Sequence, residues 1–320
     1  MTSTRRILYA VAFDAAERAI TWQVAKLARA WYASIVLVGN CKRGCLLGLR
    51  SDNREEIGRK LSAVAMRLKG YVAEVRVSEG TLADAAMRVA HNVGAELIII
   101  GAGARAVREP EHVCADAMEL ARRAPEDVWI CKPFADPHIE HVLCAADTTP
   151  TAGMAVMRAA HLSRRFNARL RILSVMPEPS WASASADDPE EEIQSARDAQ
   201  KKFLDQFDLQ GVPLSRAMVW ATAPAAEVLH EAQKYSEGVL VIGASSETQL
   251  PGNRLGPTSE AILSACPSSL LIVRKRTPAV GASSNVRVVK IKPEISGPVL
   301  VPAEGLESGR GGIQEPEPLA

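Results

Sequence analysis

Aromatic residues make up only 4% of this 320-residue chain, so its cores must be built from Ala, Val, Leu and Ile. Charge of one sign is also missing. The 38 Lys and Arg are matched by 37 Asp and Glu, a net +1 that offers no basic stripe to nucleic acid and no field towards a membrane. No run of about 18 apolar residues occurs, so no transmembrane helix and no membrane insertion are expected. The opening MTSTRRILYAVAFDAAER reaches Asp14 before an export-length apolar core forms, and no secretory leader is expected. Gly-x-Ser-x-Gly, the Walker lysine motif and His-Glu-x-x-His are absent, which leaves hydrolase and metalloprotease chemistry without an anchor. The six cysteines, Cys41, Cys45, Cys114, Cys131, Cys144 and Cys266, are scattered. They read as buried, reduced thiols of a cytoplasmic protein.

What the chain does have is a repeat. Its length suits two domains, and two apolar runs ending in glycine, ELIIIGAG at 96–103 and GVLVIGAS at 238–245, read as fully buried parallel strands. A helical pattern precedes each, with Leu82, Ala86, Val89 and Val93 in one and Ala225, Val228, Ala232 and Tyr235 in the other. Each run leads through a loop and a helix to a last strand, VWICK at 128–132 or LLIVRK at 270–275. The opening strands RILYAVAFD and HVLCAADTT both run into an acidic turn. Amphipathic helices follow, marked by Ile20, Val24, Leu27 and Trp31 in the first half. Further helices carry Ile57, Leu61, Val64 and Leu68 in the first half, and Ile193, Ala196, Phe203 and Phe207 in the second. Strand and helix thus alternate five strands deep, twice. Such alternation predicts an α/β fold of two repeated five-stranded parallel sheets between helices, with right-handed crossovers. Residues 1–135 and 136–276 are assigned to the two domains. Residues 277–320, rich in Pro, Gly, Ser and Glu, read as a flexible tail. Its two short runs, VRVVKI and PVLV, are the exceptions, able to add as strands to a sheet edge of this or another molecule.

Each half resembles a universal stress protein domain, and residues 5 to 276 together resemble the tandem form, a Rossmann-like fold of the adenine nucleotide alpha hydrolase type. The resemblance implies a stress-related regulatory or binding protein with no catalytic reaction. It implies ATP or AMP held by an Asp after the first strand and by a Gly-x-x-Gly, nine residues, Gly-Ser/Thr motif after the fourth. Glycines admit phosphate to the backbone, and N–H groups opening the last helix receive its oxygens. The second half keeps Asp147 at the Asp position, with Thr148 and Thr149 after it. Val175 closes its second strand, and Gly243 and Gly256 stand at the first and third glycines. Ser246 replaces the second glycine and Pro257, which has no N–H, stands next to Gly256; Thr258 and Ser259 follow and supply hydroxyls and amides. In the first half Ala12 holds the Asp position, and Asp14 is two residues on. Gly101 survives there, Ala104 and Cys114 replace the later glycines, and Glu109 and Glu111 add negative charge. Nucleotide is therefore expected in the second half only. The last strands are expected to pair within the chain as a pseudo-dimer, and two chains to associate as a homo-oligomer, with a protein partner besides. The alternative is a scaffold without ligand that binds a protein partner through its tail and loops. Cys41 and Cys45 among basic residues, and His138 and His141, lack the further ligands a structural metal needs, so no metal site is expected.

Overall fold

The computed structural model describes residues 5–41, 51–133, 139–176, 189–235, 238–244, 255–274 and 288–291. The first half runs β1 (Arg6–Ala10), α1 (Glu17–Trp31), β2 (Ser34–Cys41), α2 (Ser51–Arg67), β3 (Val72–Glu79), α3 (Leu82–Val93), β4 (Leu97–Gly101), α4 (Ala115–Arg123) and β5 (Asp127–Cys131). The second repeats it as β6 (His141–Ala145), α5 (Pro150–Phe166), β7 (Arg169–Met176), α6 (Pro189–Leu204), β8 (Leu214–Trp220), α7 (Pro224–Gln233), β9 (Val239–Gly243), α8 (Pro257–Ala265) and β10 (Ser269–Val273). A last strand, β11 (Val288–Ile291), belongs to the segment expected to be a flexible tail.

All eleven strands form one sheet in the order β11-β3-β2-β1-β4-β5-β10-β9-β6-β7-β8. Within each half the pairing is parallel, and the halves meet where β5 and β10 run antiparallel with Trp129 opposite Leu271. The pseudo-dimer is therefore a single continuous sheet. Helices α1, α2, α5 and α6 pack on one face with Ile20, Leu61, Val156 and Leu204 buried. Helices α3, α4, α7 and α8 cover the other with Val89, Leu120, Val228 and Leu263. Both faces of β4, β5 and β10 are covered, and every residue of these strands is buried, as their unbroken aliphatic runs require.

The seam is closed by reciprocal bonds. The Lys132 N–H donates to Ser269 Oγ at 3.1 Å, and the Arg274 N–H donates to Asp127 Oδ1 at 2.9 Å. Each half thus uses the first residue of its last strand to receive the backbone of the other. Asp127 also takes Arg158 Nε at 3.0 Å, and Trp31 meets Trp129 edge-on, centroids 5.7 Å apart. On the opposite face Arg122 of α4 pairs with Glu260 of α8.

Two expectations shift. Phe207, read as the last apolar position of α6, lies past the helix end at Leu204 and packs edge-on against Phe203 at 5.2 Å. Tyr235 lies past α7, where Lys234 closes the last turn on Glu231 O and Ala232 O, and its ring packs on His141. In both places the apolar spacing outlasts the helical hydrogen bonds, because a turn residue can also fill the core. The tail run VRVVKI, read as able to add to a sheet edge, does so on β3. Four of its residues lie antiparallel on β3, Val289 opposite Val77 and Ile291 opposite Val75. Since β3 would otherwise be an edge strand, its unpaired N–H and C=O groups supply the stabilisation that composition alone did not predict.

One face carries a pH-sensitive group. Burial, and then Arg165, Arg5, Arg158 and Arg164, push the His161 imidazole down to about 4. The unfolded chain takes up that proton near its ordinary value of about 6.5, so stability is full above that pH and falls progressively towards 4. Thermal melts between pH 7 and 4 should show a shallower decline for His161→Gln than for the unaltered chain. Equal slopes would exclude His161 as a contributor.

Candidate functional site

The C-terminal ends of β6, β7 and β9 diverge beneath the starts of α5, α7 and α8 and leave an open cleft of about 850 Å³. Open parallel sheets place ligands at such strand ends, where the order reverses. Here β9 and β7 flank β6 and leave it in opposite directions. The walls are apolar, formed by Ala145, Leu173, Val175, Val228, Ile242 and Ile262. The polar groups converge at one end, where Gly243, Gly256, Thr258 and Ser259 line the cleft, and at its rim, where Asp147 and Thr149 do.

Each polar residue is placed by its element. Gly256 is the N-cap of α8 in an extended conformation, with Pro257 as the first helical residue and no side chain capping the helix. Pro257 suits that position, since its missing N–H has no partner within a first turn. The amides that follow, of Thr258 and Ser259, carry the positive end of the helix dipole. Ser259 is buried, and its Oγ donates to Gly243 O at 3.4 Å, fastening α8 to the end of β9. Gly243 is required by closeness. A Cβ there would stand 2.9 Å from Thr151 O in the first turn of α5. Asp147 Oδ1 accepts from Thr149 N at 2.9 Å and Thr149 Oγ1 at 2.6 Å. Thr149 in turn caps α5 through Ala152 N. Ser174 Oγ donates to Ala146 O at 2.7 Å and takes Gln200 Nε2 at 2.8 Å, which locks the strand ends beneath the cleft.

Of the residues singled out from the sequence, Asp147, Thr149, Val175, Gly243, Gly256, Thr258 and Ser259 thus share one cleft. Thr148 is exposed and does not line it. Ser246 lies outside the described residues, as do Cys45 and His138. Among the described residues no His, Cys, Asp and Glu group could hold a metal ion, and no helix is long and apolar enough to cross a membrane. Cys41, Cys131, Cys144 and Cys266 are buried and Cys114 half-buried, all as free thiols. The sequence argument missed Pro224 and Val228, which wall the cleft from α7. Their position directly after a strand was the available signal.

The corresponding region of the first half is built differently. Ala12, two residues beyond β1, offers no carboxylate, and Asp14 Oδ1 accepts locally from Ala16 N at 2.9 Å. Phe13 adopts a left-handed φ of 53°, and its ring lies against Gly39, whose missing side chain leaves it room. Ala104 begins a single 3-10 turn to Val107, and Glu109 pairs with Arg105 at 2.8 Å. The buried Lys132 ammonium donates to the carbonyls of Pro110 and His112 and holds this loop shut, burial pushing its pKa down to about 8. Asp116 is the second residue of α4, as Thr258 is of α8. Its Oδ1 accepts the Ala83 N–H of α3 at 3.1 Å. A carboxylate thus stands where the second half has a hydroxyl. Sequence reasoning named Glu109 and Glu111 but passed over Lys132 and Asp116.

Two five-stranded parallel halves joined at an antiparallel seam, the second with an open cleft at its reversal point, define a tandem α/β protein. Residues 138–274 match the model of the Universal stress protein family, and this half of the chain is a universal stress protein domain. No curated protein matches the chain. Among solved structures it is similar to a functionally unknown protein from Pseudomonas aeruginosa PAO1, with TM-score 0.63 and 20% identity over 86% of this chain and 94% of that one. A putative universal stress protein from Pseudomonas aeruginosa UCBPP-PA14 gives 0.62 and 20% over the same shares. A universal stress protein from Archaeoglobus fulgidus DSM 4304 gives 0.60 and 13%, over 84% of this chain and 96% of that chain. At these identities the likeness is one of fold, and it spans both halves.

Proposed function

We propose that the chain is a non-catalytic, cytoplasmic regulatory protein that holds one adenine nucleotide, ATP or AMP, in the cleft of its second half. The observation that carries this reading is the uncapped N-terminus of α8, opening with Gly256 on a cleft whose far walls are apolar. Phosphate would meet the amides and hydroxyls of Thr258 and Ser259, as anions do at helix starts. The base would lie against Val175 and Ile242, with Asp147 at the sugar. The first half, closed by Lys132 and Asp116, is assigned no ligand. Among the described residues no group in the cleft is arranged as a nucleophile with its base, and the occupied cleft would act by altering association with a protein partner and with other copies.

The test is a thermal melt with and without ATP or AMP. A ligand at about a hundred times its dissociation constant stabilises the fold by about 2.7 kcal/mol, a rise of several degrees. Thr258→Asp, which copies Asp116 of the first half, should abolish the rise while leaving the unliganded midpoint close to its original value. Asp147→Asn should reduce it. An undiminished rise in Thr258→Asp would place the nucleotide elsewhere, and no rise at millimolar nucleotide would leave the cleft without this ligand.

A further inference from the structure

The two ends of the sheet are equivalent by the internal repeat, yet among the described residues only one is covered. On β3, the Gly80 N–H donates to Cys41 O, which turns the backbone of Glu74, Arg76 and Ser78 towards β2 and that of Val75 and Val77 outward. β11 occupies those outward groups, with Val289 and Ile291 opposite Val77 and Val75. On β8, the Ala221 N–H donates to Met176 O and Pro213 O accepts from Leu170 N–H. The same alternation therefore turns Ser215, Ala217 and Val219 towards β7, and Arg216 and Met218 outward. The registers Gly39 with Val77 and Ser174 with Met218 make Met218 the counterpart of Val77, since Gly39 and Ser174 are each the sixth residue of their strand. Among the described residues β8 pairs with β7 alone. It is a seven-residue edge without proline or bulge, the kind that pairs with another chain.

The geometry points to a second copy of this chain as the occupant, through the segment Pro298–Val301 of its tail. Two arguments select it. Beyond Ile291 the tail holds one further run of consecutive β-forming residues, Val299-Leu300-Val301, so two equivalent edges are matched by two short runs. Reach then decides between the molecule's own tail and a neighbour's. From β11 to β8 there are ten interstrand spacings, about 48 Å at roughly 4.8 Å each. From Ile291 to Val299 there are eight residue steps, about 28 Å fully extended. A tail whose first run lies on β3 cannot set its second on β8 of the same molecule. It reaches the β8 edge of another, antiparallel, with Val299 and Val301 opposite Met218 and Arg216 as Val289 and Ile291 are opposite Val77 and Val75. Pro298, which has no N–H to donate, suits the start of such a strand.

Sedimentation velocity on the full chain tests this. The full chain should sediment with a concentration-dependent mass above the 34.4 kDa of one copy. Met218→Pro removes an outward N–H and no bond to β7, and should sediment as one copy with an unchanged far-UV circular dichroism spectrum. So should a chain ending at Gly297, which leaves the folded body untouched, and the Leu300→Asp chain. Mixing the Met218→Pro chain, which retains the tail, with the shortened chain, which retains the edge, should give a one-to-one pair and nothing larger. A full chain that stays a single copy at all concentrations overturns the proposal, as does a mixture that fails to pair. A shortened chain that associates as the full one does would also overturn it, and would assign the contact to β8 against β8.

Discussion

Trp129→Ala should cost the chain about 3–5 kcal/mol of unfolding free energy. Trp129 is 1% exposed and heads the fully buried side chains by volume. Its place makes the loss more than a cavity, because it lies in the seam strand opposite Leu271 and edge-on to Trp31 of α1. Removing it empties the point at which both halves and the α1 layer touch. In a body of this size the loss corresponds to a fall of roughly 6–10 °C in melting midpoint. Urea unfolding of the variant is the direct measure. A loss below about 1 kcal/mol, well under the range for such truncations, would mean that the halves are not held together at this strand pair.

Asp127→Ala should cost a comparable amount, about 3–5 kcal/mol, by a different route. Its carboxylate side chain is 7% exposed and takes both the Arg274 N–H and Arg158 Nε. Truncation leaves a buried main-chain donor and a guanidinium without their acceptor, and an uncompensated charge is worse than a lost contact. Asp127→Asn retains an acceptor for Arg274 and should lose distinctly less. Arg158→Met should also lose less than Asp127→Ala, because the Asp127 carboxylate still accepts the Arg274 N–H. Urea unfolding of the three variants checks that order. A milder effect for Ala than for Asn would show that the Arg274 bond contributes nothing.

The legible part of the fold was its repetition. Fully buried strands such as LIIIG at 97–101 and VLVIG at 239–243 must be aliphatic throughout, and that signal survives without an alignment. That β5 and β10 pair followed from the family resemblance; that they run antiparallel is seen in the fold. The reciprocal bonds of Ser269 and Asp127 were not foreseen, because spacing does not reveal which polar residue faces a seam. Within the cleft, seven of the nine residues singled out from the sequence lie together, Thr148 and Ser246 being the others, whereas the apolar wall from α7 was not foreseen. Pro224 and Val228 look like any helix start until the crossover from β8 to β9 carries α7 over the cleft. In the first half the departures from the motif were visible, but their replacements were not. Lys132 reads as an ordinary strand-end cation, and only the folded loop shows that it grips Pro110 O and His112 O. In the tail, the run VRVVKI was legible as a strand able to add to a sheet edge, but composition does not say which edge, and four of its residues lie on β3.

The closed loop beneath Lys132 gives the molecule a direction. A symmetric pair of identical domains answers a signal equally from both ends, so its two responses are interchangeable. Here one lobe is fastened by its own ammonium and carboxylate, while the other ends in a hollow with an unfilled helix start. The two lobes therefore differ in what they offer at equivalent strand ends, one bonded to itself and the other open.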